Sequence, residues 1–187
     1  MNNSKLGEFK LIIGPMYAGK STELIRFINQ YKFLKCKVLC VNHSINVRYG
    51  SNNIITHNKV EVDECISVNS VSEIRNNDNY ESSDVIIIEE IQFFKDAYEE
   101  IKIMVDQDCK TVVAAGLSSD FNREPFGDVL KLITIADSVT QLTALCSKCH
   151  NGTVAPFTKR CVNNSEKELV GSYGLYEAVC RYHYFND

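Results

Sequence analysis

Apolar residues in this chain come in short blocks set between longer amphipathic stretches. Residues 9–13 (Phe-Lys-Leu-Ile-Ile) read as a buried strand, and residues 36–41 (Cys-Lys-Val-Leu-Cys-Val) as a second. Residues 85–88 (Val-Ile-Ile-Ile) and 111–115 (Thr-Val-Val-Ala-Ala) are two more. Strands without polar alternation are covered on both faces, as in parallel sheets. Between them, Leu24, Phe27, Ile28 and Tyr31 recur at helical spacing within 21–34, and a second helical pattern covers 93–105. This alternation predicts an α/β fold with a doubly wound parallel sheet, right-handed crossovers, and ligands at the carboxyl ends of the strands. Residues 43–58 are polar and turn-rich, and 75–83 read as a surface loop.

The turn between the first strand and the first helix carries chemistry. Gly14-Pro15-Met16-Tyr17-Ala18-Gly19-Lys20-Ser21 fits G-x-x-x-x-G-K-[ST], the phosphate-binding P-loop. Glycines let the backbone curl until successive N–H groups converge on one phosphate. Lys20 then reaches the outer phosphates, and the Ser21 hydroxyl can ligate magnesium. The following helix offers its positive end to the same anion.

The tail changes texture. Of eight cysteines, Cys36, Cys40, Cys65 and Cys109 are scattered, and Cys36 and Cys40 read as small core residues. Cys146-x-x-Cys149 and Cys180-x-x-His183 form two knuckles, a spacing that suits a tetrahedral structural zinc ion. His150 and Cys161 are rival ligands, each without a partner at knuckle spacing. Residues 1–144 therefore read as a nucleotide-binding domain and 145–187 as a small zinc-binding domain whose folding is coupled to metal binding.

Composition narrows the partners. The 187 residues suffice for one domain and a small appendage, and 44% hydrophobic with 24% charged content is ordinary for a globular protein. A net charge of −4 gives no basic field for nucleic acid. With no apolar signal segment at the start and no apolar run long enough for a bilayer, no membrane association and a cytoplasmic location are expected.

Glu89 and Glu90 follow the apolar run 85–88. In phosphate-loop proteins an acidic residue after a buried strand commonly serves the metal, and a second can orient or deprotonate a nucleophile. Neighbours on a strand face opposite ways, so the two glutamates are expected on opposite faces with separate tasks.

Five motifs occur in order: Gly14 to Ser21, Glu89-Glu-Ile-Gln-Phe-Phe94, Gly116-Leu-Ser-Ser-Asp-Phe-Asn-Arg-Glu-Pro-Phe126, Cys146-x-x-Cys149, and Tyr176-x-x-x-Cys180-x-x-His183. Together, from about Leu11 to Tyr184, they resemble thymidine kinases of the cytosolic, zinc-containing type found in animals, many bacteria and large DNA viruses. The resemblance implies ATP-dependent phosphorylation of the thymidine 5′-hydroxyl, and that of deoxyuridine, for nucleotide salvage. It implies magnesium with ATP, structural zinc on Cys146, Cys149, Cys180 and His183, a homotetramer, and thymidine triphosphate as feedback inhibitor. A zinc-ribbon nucleic-acid-binding ATPase would share the loop and the cysteines, but the acidic balance counts against it.

The resemblance also assigns residues. Glu90 matches the catalytic base. Gly14, Pro15, Met16, Tyr17, Ala18, Gly19, Lys20 and Ser21 match the ATP site, with Asn46, Val47 and Arg48 near the phosphates and Glu89 and Gln92 beside them. Phe121 matches the aromatic residue on sugar and base, with Met16, Phe93, Leu117 and Phe126 as neighbours. The base edge is read by a lasso-like substrate loop, here Lys167, Glu168, Leu169, Val170 and Gly171, with Tyr176 beside it. Arg160, in Thr158-Lys-Arg160, matches a position toward the phosphates. Glu89 stands where the family usually has aspartate, and His183 where many members have cysteine.

Overall fold

The computed structural model describes residues 6–45, the backbone of Ile54–Ile55 and Glu61–Val62, and residues 65–162 and 174–186. The chain runs β1 (Glu8–Ile13), α1 (Lys20–Phe33), β2 (Val38–His43), then the antiparallel pair β3 (Ile54–Ile55) and β4 (Glu61–Val62). It continues with β5 (Cys65–Val68), α2 (Val71–Arg75), β6 (Val85–Ile88) and α3 (Ala97–Asp106). Then come β7 (Thr111–Gly116), α4 (Val129–Leu132) and β8 (Ser138–Gln141). Six strands form one sheet in the order β5-β2-β6-β7-β1-β8, every pairing parallel.

The sheet is doubly wound, as the apolar blocks predict. Successive residues of each strand serve opposite faces. Ile12, Ile87 and Val113 pack under Leu24, Ile25 and Ile28 of α1. Their neighbours Leu11, Ile86, Ile88, Val112 and Ala114 pack with Ile74 of α2, Ile101 and Met104 of α3, and Val129 and Leu132 of α4. Ile86, Ile87 and Ile88 are each wholly buried, and each such side chain contributes about 1.5–3 kcal/mol.

Some boundaries differ from the sequence expectation. β2 lies at Val38–His43 rather than 36–41, because Cys36 is still bonded back to the Tyr31 carbonyl of α1 and Lys37 only leads in, bonded to Asp84 and Val85. The helical pattern at 93–105 splits. Ile91–Phe93 is a single 3-10 turn and the helix starts at Ala97, with Asp96 turned away to accept the Val71 and Ser72 N–H groups at the start of α2. The edge strands β5 and β8 carry no continuous apolar run, and all of β8 is exposed. Residues 76–83 form turns, held by Lys110 Nζ, which donates to the carbonyls of Tyr80, Glu81 and Ser83.

After β8 the chain builds small sheets from β9 (Ala144–Leu145) with β10 (Val154–Ala155) and β11 (Phe157–Arg160) with β12 (Tyr176–Val179), closed by α5 (Arg181–Phe185). Their core is a separate cluster of Ala144, Cys146, Ala155, Ala178, Val179 and Cys180, against which Tyr17 of the glycine loop also packs. No helix among the described residues is long and apolar enough to cross a membrane.

Candidate active site

Three adjacent strands, β6, β7 and β1, end together, with Ile88 opposite Ala114 and Ile13 opposite Gly116. The glycine loop leaves β1 at this edge. A Cβ on Gly14 would lie 2.6 Å from the Leu142 carbonyl oxygen, so only glycine lets the loop depart beside the chain that leaves β8. Tyr17 (φ 64°) and Gly19 (φ 83°) take left-handed backbone, which curls the loop, and α1 begins at Lys20. Lys20 Nζ donates across the loop to the Pro15 carbonyl at 2.7 Å.

The acidic turn faces this loop. Glu89 prolongs the ladder, its N–H donating to the Val41 carbonyl at 2.9 Å. Glu90 then takes a left-handed conformation (φ 55°), and the chain enters the 3-10 turn. The expectation that the two glutamates occupy opposite faces is therefore corrected: the strand ends at Ile88, and both side chains line one cleft of about 280 Å³ with Lys20 and Ser21. A left-handed glutamate costs about 1–3 kcal/mol, a local strain of the kind that clusters where a side chain must be aimed. Gln92, almost fully buried, donates from Nε2 to Glu90 Oε2 at 2.5 Å and accepts the Leu117 N–H on Oε1 at 3.0 Å.

The apolar side of the cleft is formed by Met16, Phe93 and Leu117, with Ala18 on the loop side. Phe126 stands edge-on to Phe93 with centroids 5.4 Å apart and lines a neighbouring cavity of about 590 Å³ with His43. Phe121 and Tyr176 are brought together by Arg160, whose guanidinium lies 3.8 Å from the Phe121 ring centroid and donates to the Tyr176 hydroxyl at 2.7 Å. Arg160 thus packs against both rings of this aromatic pair, and Tyr176 in turn accepts the Tyr17 hydroxyl of the glycine loop on its carbonyl. Asn46, Val47, Arg48, Lys167, Glu168, Leu169, Val170 and Gly171 lie outside the described residues.

Two contacts tie the loop to the tail, and the sequence gives no sign of either. The Met16 N–H donates to Thr158 Oγ1 at 3.0 Å, and the Tyr17 hydroxyl donates to the Tyr176 carbonyl at 3.1 Å. The partners are 142 and 159 residues apart, beyond the reach of any local pattern.

Cys146, Cys149, Cys180 and His183 converge, their ligand atoms all within 4.8 Å of one another. His183 Nδ1 lies 3.6 Å from the Cys146 sulfur and 3.4 Å from those of Cys149 and Cys180, and the Cys149 and Cys180 sulfurs are 3.8 Å apart. Zinc bonds of about 2.3 Å to sulfur and 2.0–2.1 Å to nitrogen give tetrahedral edges of about 3.8 and 3.6 Å, so the donor set fits that ion. Burial pushes the Cys146 thiol up, but backbone N–H donors from Cys180, Lys148 and Cys149 outweigh it and draw it down to about 6. The His183 N–H at the head of α5 likewise lowers the Cys180 thiol. The rivals stand aside: His150 and Cys161 are both exposed and neither joins the cluster.

Comparison with known proteins gives the family. The family pattern described as Thymidine kinase matches residues 7–184. The chain is 40% identical over 183 residues to the thymidine kinase of Yaba monkey tumor virus, covering 98% of this chain and 97% of that protein. It is 38% identical to thymidine kinase 1 of Dictyostelium discoideum, covering 97% of this chain and 79% of the relative. It is also 38% identical to a thymidine kinase of Oryza sativa subsp. japonica, covering 96% and 67%. With residues 7–184 matched and relatives 38–40% identical over nearly the whole chain, the chain belongs to the thymidine kinase family.

Proposed function

We propose that this protein transfers the γ-phosphoryl group of ATP to the 5′-hydroxyl of thymidine, and of deoxyuridine, yielding the monophosphate for DNA synthesis. The observation that carries the reading is the single cleft in which the Glu89–Glu90 turn faces Lys20 and Ser21. Residues 14–21 hold the triphosphate: curled backbone N–H groups and the α1 end bind the anion, and Lys20 swings from the Pro15 carbonyl to the outer phosphates. Ser21 and Glu89 are the groups for magnesium, which neutralises charge on the transferring phosphoryl group. Arg48, with Asn46 and Val47, adds to the phosphate site.

Glu90 accepts the proton of the 5′-hydroxyl as its oxygen attacks the γ-phosphorus. The bond from that phosphorus to the β,γ-bridging oxygen breaks, and ADP leaves. Most of the acceleration comes from alignment and charge neutralisation, the base being one contributor among several. Met16, Phe93, Leu117, Phe121 and Phe126 hold the nucleoside, and residues 167–171 with Tyr176 read its edge. Backbone groups reading a pyrimidine reject a wrong edge by leaving buried donors unpaired.

The metal module, residues 145–187, serves this chemistry structurally. Zinc on Cys146, Cys149, Cys180 and His183 fastens both ends of the nucleoside-covering segment. A homotetramer restrained by thymidine triphosphate and a cytoplasmic location complete the reading. Transfer of labelled phosphate from ATP to a panel of nucleosides tests it: thymidine and deoxyuridine should be labelled, and Glu90→Gln should lower turnover about 10²–10⁴-fold while ATP still binds. An unlabelled thymidine, or near-normal turnover by Glu90→Gln, would overturn the activity or the base respectively.

A further inference from the structure

We propose that Gln92 is a positioning residue for the base, a side-chain bridge that aims the Glu90 carboxylate from the backbone of the nucleoside-side loop. The inference rests on Glu90 being the base. It departs from grouping Gln92 with the ATP contacts, because the two ends of its amide are engaged by protein.

Chemistry fixes the amide's orientation. The Leu117 N–H can only donate, so Oε1 faces it, at 3.0 Å. A carboxylate only accepts, so Nε2 faces Glu90 Oε2, at 2.5 Å. One side chain therefore joins the acidic turn after β6 to the first residue after β7.

Two glycines hold this bridge. A Cβ on Gly116 would fall 2.5 Å from Gln92 Oε1, and a Cβ on Gly127 would fall 2.3 Å from the Gln92 carbonyl oxygen. Side-chain amide and backbone are thus gripped from two different segments, and both segments bear residues of the apolar slot: Leu117 follows Gly116 and Phe126 precedes Gly127. A shift of the slot on taking up nucleoside is transmitted through Gln92 to the carboxylate. Glu90 sits on left-handed backbone, so its local chain does not hold the side chain in the arrangement a strand would impose.

The test separates aim from binding. Gln92→Glu keeps length and the acceptor for Leu117, and replaces the donor facing Glu90 with an acceptor. It should lower kcat about ten- to a hundredfold while the KM for ATP stays within about twofold. The acid limb of the kcat–pH profile should move up by about one pH unit, since a carboxylate that loses a donor and gains a like charge holds its proton more tightly. Glu89 and Lys20 face the same cleft and are unchanged in the variant. Gln92→Met, which has neither donor nor acceptor, should lower kcat without raising the acid limb as far. In a Glu90→Gln background, Gln92→Glu should cost less than about twofold more.

A variant that folds with the wild-type melting temperature and loses only ATP affinity would overturn the proposal in favour of a donor-site contact. So would an unmoved acid limb. Near-normal turnover by Glu90→Gln alone would instead remove the base assignment on which the proposal stands.

Discussion

The Met16 backbone N–H, in the middle of the glycine loop, is held by the Thr158 hydroxyl of β11 at 3.0 Å. Both groups are buried, and the Tyr17 hydroxyl reaches the Tyr176 carbonyl on the paired strand β12. The glycine loop is therefore braced by the same antiparallel pair whose strand β12 runs into Cys180 of the Cys/His cluster. Thr158→Val keeps the shape of the side chain and leaves the Met16 N–H without its acceptor. ATP must then re-order a loop that has lost a hydrogen bond of about 1–1.5 kcal/mol, so the KM for ATP should rise by up to about tenfold, with metal content unchanged. Steady-state kinetics beside elemental analysis checks this, and an unaltered ATP KM would show that the brace has no part in donor binding.

Removing the metal should reach the loop by the same route. Elemental analysis should find about one zinc per chain. Chelation should then weaken ATP binding as well as thymidine binding, which isothermal titration of each ligand would resolve. Acid should act in the same direction. The Cys146 thiol lies below its ordinary value of 9.0, at about 6. Stabilisation tied to its thiolate is full above about 9, shrinks as the pH falls, and is gone below about 6. Zinc release followed by a colorimetric chelator should set in below that limit, because bound zinc itself holds the thiolate against protonation. Metal-free protein with native ATP affinity would refute the coupling.

The sequence made the sheet legible where burial is two-sided. The 85–88 and 111–115 blocks are apolar because α1 covers one face of the sheet and α2, α3 and α4 the other, and both blocks fall inside observed strands. β5 and β8 were not legible, because edge strands need no continuous apolar run and β8 is exposed throughout. The glycine loop and the cysteine knuckles were legible because their spacing is itself the chemistry. The glutamate pair was misread on a strand rule. Whether Glu90 continues the strand or turns depends on its left-handed φ, which a non-glycine residue does not advertise. Arg160 shows a further limit: its place over Phe121 depends on contacts between segments far apart in the chain.

Glu89, buried at the end of β6, offers a separate prediction on the metal of the donor. Its carboxylate lines the cleft with Ser21. Glu89→Gln removes the charge while keeping the side chain's length. The magnesium concentration for half-maximal turnover should rise about tenfold, and the KM for thymidine should hold within about twofold. A magnesium titration at saturating ATP measures it. An unchanged magnesium requirement would free Glu89 from any metal role.

Lys110 gives a stability prediction away from the chemistry. Its ammonium is buried, donates to the carbonyls of Tyr80, Glu81 and Ser83, and sits 4.9 Å from the Tyr80 ring centroid. Three carbonyls converging on one cation hold the turns that lead into β6, whose far end bears the acidic turn. Lys110→Met fits the space but takes the ammonium from all three carbonyls, of which that of Tyr80 keeps the Ser83 N–H at 3.0 Å. The variant should lose about 2–4 kcal/mol of unfolding free energy, since bonds to a charged group are worth more than neutral ones and buried acceptors are left unmet. Urea unfolding followed by circular dichroism measures the loss. The ATP and thymidine KM values of the folded fraction should stay within about twofold, because the active-site groups lie at the opposite end of the strand. A loss under about 0.5 kcal/mol would mean that water replaces the ammonium at no cost, and that the turns are held by their own backbone bonds, such as Tyr80 N–H to the Asn77 carbonyl at 2.9 Å.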